Sequence, residues 1–170
     1  VKTVKDLIAL AKAKPGELNY GSGAAGASNH LAAELFKSMT GTNIVRIPFK
    51  GIGSAINALI GGELQVVFPL VASGMPHVKS GRLRALAVAS TQPSEVTPGL
   101  PTIASSGLPG YDASGTYGIF APGKTPPAVI NRLNQEIVTL LRKPDTKERF
   151  FNVGMEIDRK STRLNSSHRT

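Results

Sequence analysis

Residues 21–31, which we call the glycine-serine loop, combine residue types that bind small anions. The run Gly21-Ser22-Gly23-Ala24-Ala25-Gly26 follows a short predicted strand at 18–20, and a helix is predicted to begin near Ser28. A glycine-rich turn lets backbone N–H groups converge, and the N-terminal end of the following helix adds positive potential. Side-chain donors are supplied by Ser22, Ser28 and Asn29. The loop predicts a carboxylate or phosphate site, although a tight turn with Ser28 as an ordinary N-cap explains it equally well.

The same run is a literal G-x-G-x-x-G, which marks a dinucleotide site when it joins a strand to a helix. Two features weaken that interpretation. The preceding strand is short and polar, and the next strand ends at Ile47-Pro48-Phe49-Lys50, where a ribose-binding acid is required. Lys50 or Arg46 would have to face a 2′-phosphate instead. A nucleotide-binding α/β enzyme that uses the Gly21–Gly26 loop stays open as one alternative function.

The sequence shows little evidence of residue patterns typical of a catalytic site. Ser28 and His30 are neighbours, but no G-x-S-x-G elbow or orienting acid accompanies them. Paired carboxylates do not follow the predicted strands. The chain has no cysteine, and its three histidines (His30, His77 and His168) lack metal-binding spacing. We therefore predict a protein that is not an enzyme and that uses no metal and no cofactor.

The formal net charge of +9 does not indicate a nucleic-acid partner. Residues 159–170 contain basic residues, no acidic residue and no hydrophobic periodicity, and they resemble translated adapter or vector sequence. We predict that 158–170 is a non-native basic tail. The other basic residues are dispersed, and with no Trp and three Tyr the chain offers no stacking platform for bases. No apolar run approaches the roughly 20 residues that cross a bilayer.

Strands and helices alternate through the first half of the chain, which predicts a mostly parallel α/β sheet covered by helices on both faces. Loops at 21–31, 48–54 and 69–73 follow successive strands, so all three are expected at one sheet edge, where ligands bind. A helix follows the capping box Thr3-Val4-Lys5-Asp6. Strands are predicted at 18–20, 44–47, 64–68 and 83–89, and later helices at 28–40, 54–60 and 72–79. The helix after Ser28 is predicted to bury Leu31, Leu35, Phe36 and Met39.

The regular alternation breaks at residues 90–116, a stretch rich in proline and glycine. It predicts a long surface connection with one helical turn near Ile103. Beyond it we expect strands at 117–121 and 155–157, and helices from Pro126 to Lys143 and over 145–152. The longer helix is predicted to turn one apolar stripe inward, formed by Val129, Ile130, Leu133, Ile137, Leu140 and Leu141.

An ordered set of short motifs resembles the Bug family, the extracytoplasmic solute receptors of tripartite tricarboxylate transport systems (TctC-like proteins). The motifs are Tyr20-Gly21-Ser22-Gly23 through His30-Leu31, Ile47-Pro48-Phe49-Lys50-Gly51, Gly61-Gly62, Arg82-Leu83-Arg84-Ala85-Leu86-Ala87-Val88, Leu100-Pro101-Thr102 and Gly118-Ile119-Phe120-Ala121-Pro122. The resemblance covers nearly all of residues 1–157. It implies a two-lobed Venus-flytrap fold of the type II periplasmic-binding-protein class, of which this chain contains one complete lobe and part of the other.

Within that fold the resemblance assigns residues 1–113 to lobe two, 114–116 to the hinge or crossover, and 117–157 to part of lobe one. The N-terminal half of lobe one and a signal peptide have no counterpart here, so an N-terminally truncated chain is expected. The resemblance further implies a periplasmic receptor that is monomeric when complete. Its expected partners are a small carboxylate and the membrane permease subunits of the transporter, with no nucleic acid. A sensory or regulatory ligand-binding module is the second alternative.

Ligand contacts carried over from the family surround the carboxylate or line the cleft. Those around the carboxylate are Ser22, Gly23, Gly26, Ala27, Ser28 and Asn29, and those lining the cleft are Phe49, Gly51, Pro69 and Leu70. Three positions depart from the family pattern, which usually has a hydroxyl residue in place of Ala27, Tyr in place of Phe49 and Asp in place of Pro69. These departures imply a less polar ligand or a different water network.

Overall fold

The computed structural model describes residues 1–115 and 118–157, and the chain divides into two compact units, Val1–Gly115 and Thr116–Thr170. The assignment of residues 1–113, 114–116 and 117–157 to lobe two, hinge and lobe one stays a prediction. The predicted tail at 158–170 lies outside the described residues. None of the described helices is long and apolar enough to cross a membrane.

The first unit is built around a three-stranded parallel sheet with the order β2-β1-β3. Helices cover both of its faces. On one face the Tyr20 hydroxyl of the central strand bonds to Glu34 in the helix over 28–40, and on the other face Gly21 lies against Ala55 in the helix over 52–60. The predicted parallel α/β sheet is therefore confirmed. Its elements are α1 Val4–Ala13, β1 Asn19–Ser22, α2 Ser28–Thr40, β2 Val45–Pro48, α3 Ile52–Ile60, β3 Val66–Val67 and α4 Val71–Lys79.

Helix α1 begins with the predicted capping box. The Thr3 hydroxyl accepts a hydrogen bond from the Asp6 N–H at 3.1 Å, and the Asp6 carboxylate accepts from the Thr3 N–H at 3.1 Å. A further bond from the Lys2 N–H, together with the Thr3 bonds, lowers the pKa of Asp6. These contacts satisfy the N–H groups that a helix start leaves without intrahelical partners.

The predicted buried stripe of α2 is partly wrong. Phe36 is buried and stacks at a tilt on Phe68, with ring centroids 5.6 Å apart. Leu31 and Met39, however, are 57% and 41% exposed, whereas the face turned inward carries the small residues Ala32 and Ala33. Small side chains let the helix backbone approach its neighbours closely, so the helix is rotated relative to the orientation that hydrophobicity alone favours.

The segment 90–115 is not merely a surface connection, which corrects the prediction. Three of its side chains are buried in the main hydrophobic core, namely those of Ile103, Leu108 and Tyr111. The strand predicted at 83–89 is also wrong, since an isolated parallel bridge between Val88 and Thr102 is all that forms there. Val88 bonds to the backbone of residues 101 and 103, so the following segment occupies its pairing positions.

We expect Tyr111→Phe to lower the free energy of unfolding by about 0.5–1.5 kcal/mol. The Tyr111 side chain is fully buried, and its hydroxyl donates to the Ala32 carbonyl at 2.9 Å. Phenylalanine keeps the ring packing but removes this bond to α2, while the Ala32 carbonyl keeps its bond within the helix. Urea unfolding followed by circular dichroism measures the change, and a loss below about 0.3 kcal/mol would contradict this account of how the segment is anchored.

The described part of the second unit contains α5 Pro127–Arg142 and α6 Pro144–Asn152. The predicted apolar stripe of α5 is not buried: Val129, Leu133 and Leu140 are each about half exposed, and the other three members are partly covered. Residues 118–121 and 155–157 form no strand, which corrects two further predictions, and Tyr117 lies outside the described residues. A strand needs a paired neighbour, and two helices supply none.

Candidate functional site

Two of the predicted loops meet at the carboxyl edge of the sheet. The register pairs Ser22 at the end of β1 with Pro48 at the end of β2, and the Phe49 N–H donates to the Ser22 carbonyl at 2.8 Å. A Cβ built on Gly23 would lie 3.9 Å from the Gly51 Cα. The glycine-serine loop and the 49–51 loop therefore lie side by side, as the parallel alternation predicts.

The third loop, which contains Pro69 and Leu70, follows β3 and reaches the same edge from the other side of β1. The Pro69 ring packs at 3.1 Å from the Cβ position of Gly74, and a Leu70 methyl lies 2.8 Å from that of Gly115. The order of the elements places this loop at the predicted edge. A role for Pro69 and Leu70 in ligand binding stays a prediction.

Three helices begin at this edge, and none has a side-chain cap. The N-cap residues of α2, α3 and α4 are Ala27, Gly51 and Leu70, whose side chains accept no hydrogen bond from the helix start. The first N–H groups of a helix have no intrahelical partner, and the helix dipole makes that end positive. Helix α1, by contrast, has a complete capping box.

The prediction that Ser28 caps α2 is wrong. Ala27 takes the N-cap position, with the extended φ of −62° and ψ of 153°, and Ser28 is already the first helical residue. Its hydroxyl is therefore one position too far along the chain to fold back as a cap. As the first two residues of α2, Ser28 and Asn29 have N–H groups that lack a partner within the helix.

Bonds from within α2 fix the shape of the glycine-serine loop. The Asn29 Oδ1 accepts from the Gly23 N–H at 3.2 Å, and the His30 Nδ1 accepts from the Gly26 N–H at 3.0 Å. Gly26 has a φ of +81°, a left-handed conformation that favours glycine. Asn29 and His30 therefore act as acceptors that hold the loop, a role for Asn29 that was not predicted, and His30 packs against the loop.

Ser22 is fully buried, and its hydroxyl is engaged by the protein. It accepts from the Arg46 Nε at 2.7 Å, and the Arg46 Nη2 donates to the Gly23 carbonyl at 2.8 Å. Sequence reasoning considered Arg46 only as a phosphate contact in the nucleotide alternative and missed this contact. The available signal was a lone charged residue within the apolar strand Ile44-Val45-Arg46-Ile47.

Phe49 lies partly buried between β1 and α3. Its ring belongs to a small apolar cluster with Ala55 and Leu64, and it approaches to 3.4 Å from the Cβ position of Gly21. The backbone of Gly51 is open, since a Cβ there would meet nothing within 4 Å. Phe49 thus supports the edge through packing, and Gly51 leaves room for another molecule to approach the start of α3.

A polar cluster anchors α2 to the central strand. The Tyr20 hydroxyl donates to Glu34 at 2.6 Å, and the Lys37 ammonium donates to the same carboxylate at 2.8 Å. Burial, followed by the bond to Glu34, raises the pKa of Tyr20, while the bond from Lys37 lowers the pKa of Glu34. These bonds set the position of the α2 helix, whose first turn borders the site.

Metal binding has no visible ligand set in the part of the chain that the structure describes. Within residues 1–115 and 118–157, no group of three or more His, Cys, Asp or Glu side chains is placed to hold an ion. The uncapped starts of α2 and α3 and the guanidinium of Arg46 place hydrogen-bond donors at this edge. Such a donor set recognises oxygen anions rather than cations.

The sequence of this chain is similar to those of known proteins. A family model described as "Tripartite tricarboxylate transporter family receptor" matches residues 1–165. Protein BugT of Bordetella pertussis is 39% identical over 144 residues, which cover 85% of this chain and 44% of BugT. A UPF0065 protein encoded in the tcbD-tcbE intergenic region of a Pseudomonas species is 32% identical, with 91% of this chain and 46% of that protein covered.

Solved structures show the same fold. The Rhodopseudomonas palustris protein Rpa4515, solved with adipate, is 33% identical with a TM-score of 0.86, covering 92% of this chain and 52% of that one. The periplasmic binding protein BugD is 26% identical with a TM-score of 0.81, covering 95% and 54%. The predicted periplasmic-binding-protein fold is thereby confirmed. This chain spans about half the length of the relatives described here.

Proposed function

The chain belongs to the tripartite tricarboxylate transporter receptor family, and on that premise we propose that the protein is a solute receptor for a small organic carboxylate. One observation carries the proposal. Three helices begin at one edge of a parallel sheet, and their N-cap residues Ala27, Gly51 and Leu70 provide no side-chain cap. A ligand carboxylate would accept from the N–H groups that these helices leave without partners.

Backbone donors suffice for such a ligand because hydrogen bonds to a charged group are strong. Each contributes about 1.5–3 kcal/mol, roughly twice the value for a bond between neutral groups. Asn29 and His30 hold the loop by accepting from the N–H groups of Gly23 and Gly26, so binding at the helix starts requires little ordering of the loop. The adipate in the structure of Rpa4515 is a ligand of this chemical class.

The proposed contacts fall into two groups. Ser22, Gly23, Gly26, Ala27, Ser28 and Asn29 surround the carboxylate, in part by shaping the loop, and Phe49, Gly51, Pro69 and Leu70 border the carbon chain. We further propose that residues 1–113 form lobe two of the receptor, that 114–116 are the hinge, and that 117–157 contribute to lobe one. Apolar residues among the second group favour a ligand whose carbon chain is less polar than that of a hydroxylated acid.

The proposed role is transport without catalysis. Ser22 bonds to Arg46 and Gly23, and His30 accepts from Gly26, so these two side chains support the loop. The receptor would act in the periplasm, capture the acid and present it to the membrane permease subunits of a tripartite transporter. Family membership supports this location and these partners.

Calorimetry on the complete gene product tests the proposed function. We expect adipate to bind with a dissociation constant of roughly micromolar order, and adipamide, its neutral isostere, to bind at least about a hundredfold more weakly. The difference arises because the amide cannot present a charged acceptor to the helix N-termini. Titration with mono-, di- and tricarboxylates then ranks the ligand class. Binding of NAD(P) with no response to any carboxylate would favour the nucleotide alternative and reject the receptor.

A further inference from the structure

Arg46 connects the second strand to the glycine-serine loop. It pairs with Tyr20 in the β1–β2 register, so its side chain emerges on the sheet face that Tyr20 and Ser22 share. From there the guanidinium donates through Nε to the Ser22 hydroxyl and through Nη2 to the Gly23 carbonyl, at 2.7 and 2.8 Å. The planar fork of the guanidinium therefore joins Ser22, the last residue of β1, to Gly23, which follows it.

The bond to the Gly23 carbonyl also determines where the next donor points. In a trans peptide the C=O and the N–H of one unit point in opposite directions. Because Arg46 holds the Gly23 carbonyl, the N–H of Ala24 in the same peptide is turned away from the guanidinium. Ala24 is an exposed residue, and the direction of its N–H follows from the orientation of this peptide. Arg46 thus sets the orientation of a loop donor without occupying it.

The charge of Arg46 is not neutralised by a nearby carboxylate in the described part of the chain. Ion pairs within 4.0 Å there are Lys14–Glu17, Lys37–Glu34 and Arg132–Glu136. The partly buried guanidinium instead bonds to a neutral hydroxyl and a neutral carbonyl. A partly desolvated cation beside the positive N-terminus of α2 raises the local potential, which favours a bound anion.

We propose that Arg46 is the positioning residue of the glycine-serine loop and that its charge favours an anionic ligand over a neutral one. This inference rests on the proposed function, since it takes the ligand to be a carboxylate. It goes further by assigning Arg46 a role in positioning the loop, which the helix N-termini do not explain. It also accounts for the complete burial of Ser22, whose hydroxyl serves as the acceptor that fixes the Arg46 fork rather than as a free donor to the ligand.

Three variants of the complete gene product test the affinity. Arg46→Gln removes the charge and the fork, and we expect adipate to bind about 10–100-fold more weakly. Arg46→Lys keeps the charge but cannot hold both acceptors, so an intermediate loss is expected. The control Arg84→Gln makes the same chemical change at an exposed position outside the edge and should bind within about twofold of wild type. Folded Arg46→Gln that binds adipate as wild type does would overturn the charge role.

Hydrogen exchange by mass spectrometry tests the positioning role independently of any ligand. In Arg46→Gln and Arg46→Lys we expect amides of the peptide spanning 21–31 to exchange at least about fivefold faster, with unchanged exchange in α1. Arg84→Gln should leave the same peptide unchanged. Equal protection in all variants would reject positioning by Arg46. If wild type binds no carboxylate, the proposed function fails while the exchange comparison still decides whether Arg46 holds the loop.

Discussion

Replacing Ala27 by aspartate is expected to stabilise the folded protein while lowering its affinity for carboxylates by at least about a hundredfold. Ala27 is the N-cap of α2 and already has the extended backbone that a capping residue requires. The introduced carboxylate would accept from the N–H groups of Asn29 or His30, a gain of about 1 kcal/mol. The same carboxylate would occupy the donors proposed for the ligand and repel it, at a cost of several kcal/mol to binding.

Because Ala27→Asp is expected to raise stability while it lowers affinity, the lost binding could not be attributed to unfolding of the protein. The midpoint temperature of thermal unfolding should rise by about 1–2 °C for a protein of the size of the relatives, while calorimetry records the lost binding. Ala27→Asn supplies a neutral cap, so it should stabilise similarly and weaken binding less. Thr3→Asp is the matched control, because it introduces an aspartate at the N-cap of α1, a helix that already has a capping box. Unaltered adipate binding by a stabilised Ala27→Asp protein would show that the ligand does not use the start of α2.

The position of the three loops at one sheet edge was predictable because it depends on element order. Parallel strands joined by helices place their carboxyl ends on one edge, so the loops after β1, β2 and β3 had to lie there. Hydrophobic runs and glycine-rich turns identify those strands and loops in a single sequence. The same logic identified the capping box at Thr3 and Asp6, whose partners are three residues apart and need no tertiary information.

Features that depend on tertiary contacts were not predictable. The link between Arg46 and Ser22 requires the β1–β2 register, which no local pattern specifies. The inward face of α2 depends on how closely the helix approaches its neighbours, which selects Ala32 and Ala33 over Leu31. Similarly, proline and glycine in the segment 90–115 predict turns but not that Tyr111 reaches the Ala32 carbonyl.

Strand β1, which borders the candidate site, lies very close to α3 at Gly21. A Cβ built on Gly21 would lie 2.5 Å from a Leu64 methyl and 2.7 Å from the Ala55 Cβ. Leu64 can change rotamer, but the Cβ of Ala55 is fixed to the α3 backbone. Any side chain at position 21 therefore displaces α3, and with it Gly51 at the helix start.

We expect Gly21→Ala to lower the free energy of unfolding by about 2 kcal/mol. Overpacking costs about 1–3 kcal/mol, while the reduced entropy of the unfolded chain returns only about 0.4–1 kcal/mol. Urea unfolding measures the loss. Gly61→Ala is the matched control, because Gly61 has a φ of −72° and its built Cβ meets other atoms at 3.5 Å or more, so its stability should change by less than about 0.5 kcal/mol. Equal effects at the two positions would show that β1 and α3 are not packed closely enough to require glycine at position 21. Close packing of β1 against α3 would then no longer explain why Gly23 and Gly51 lie near each other.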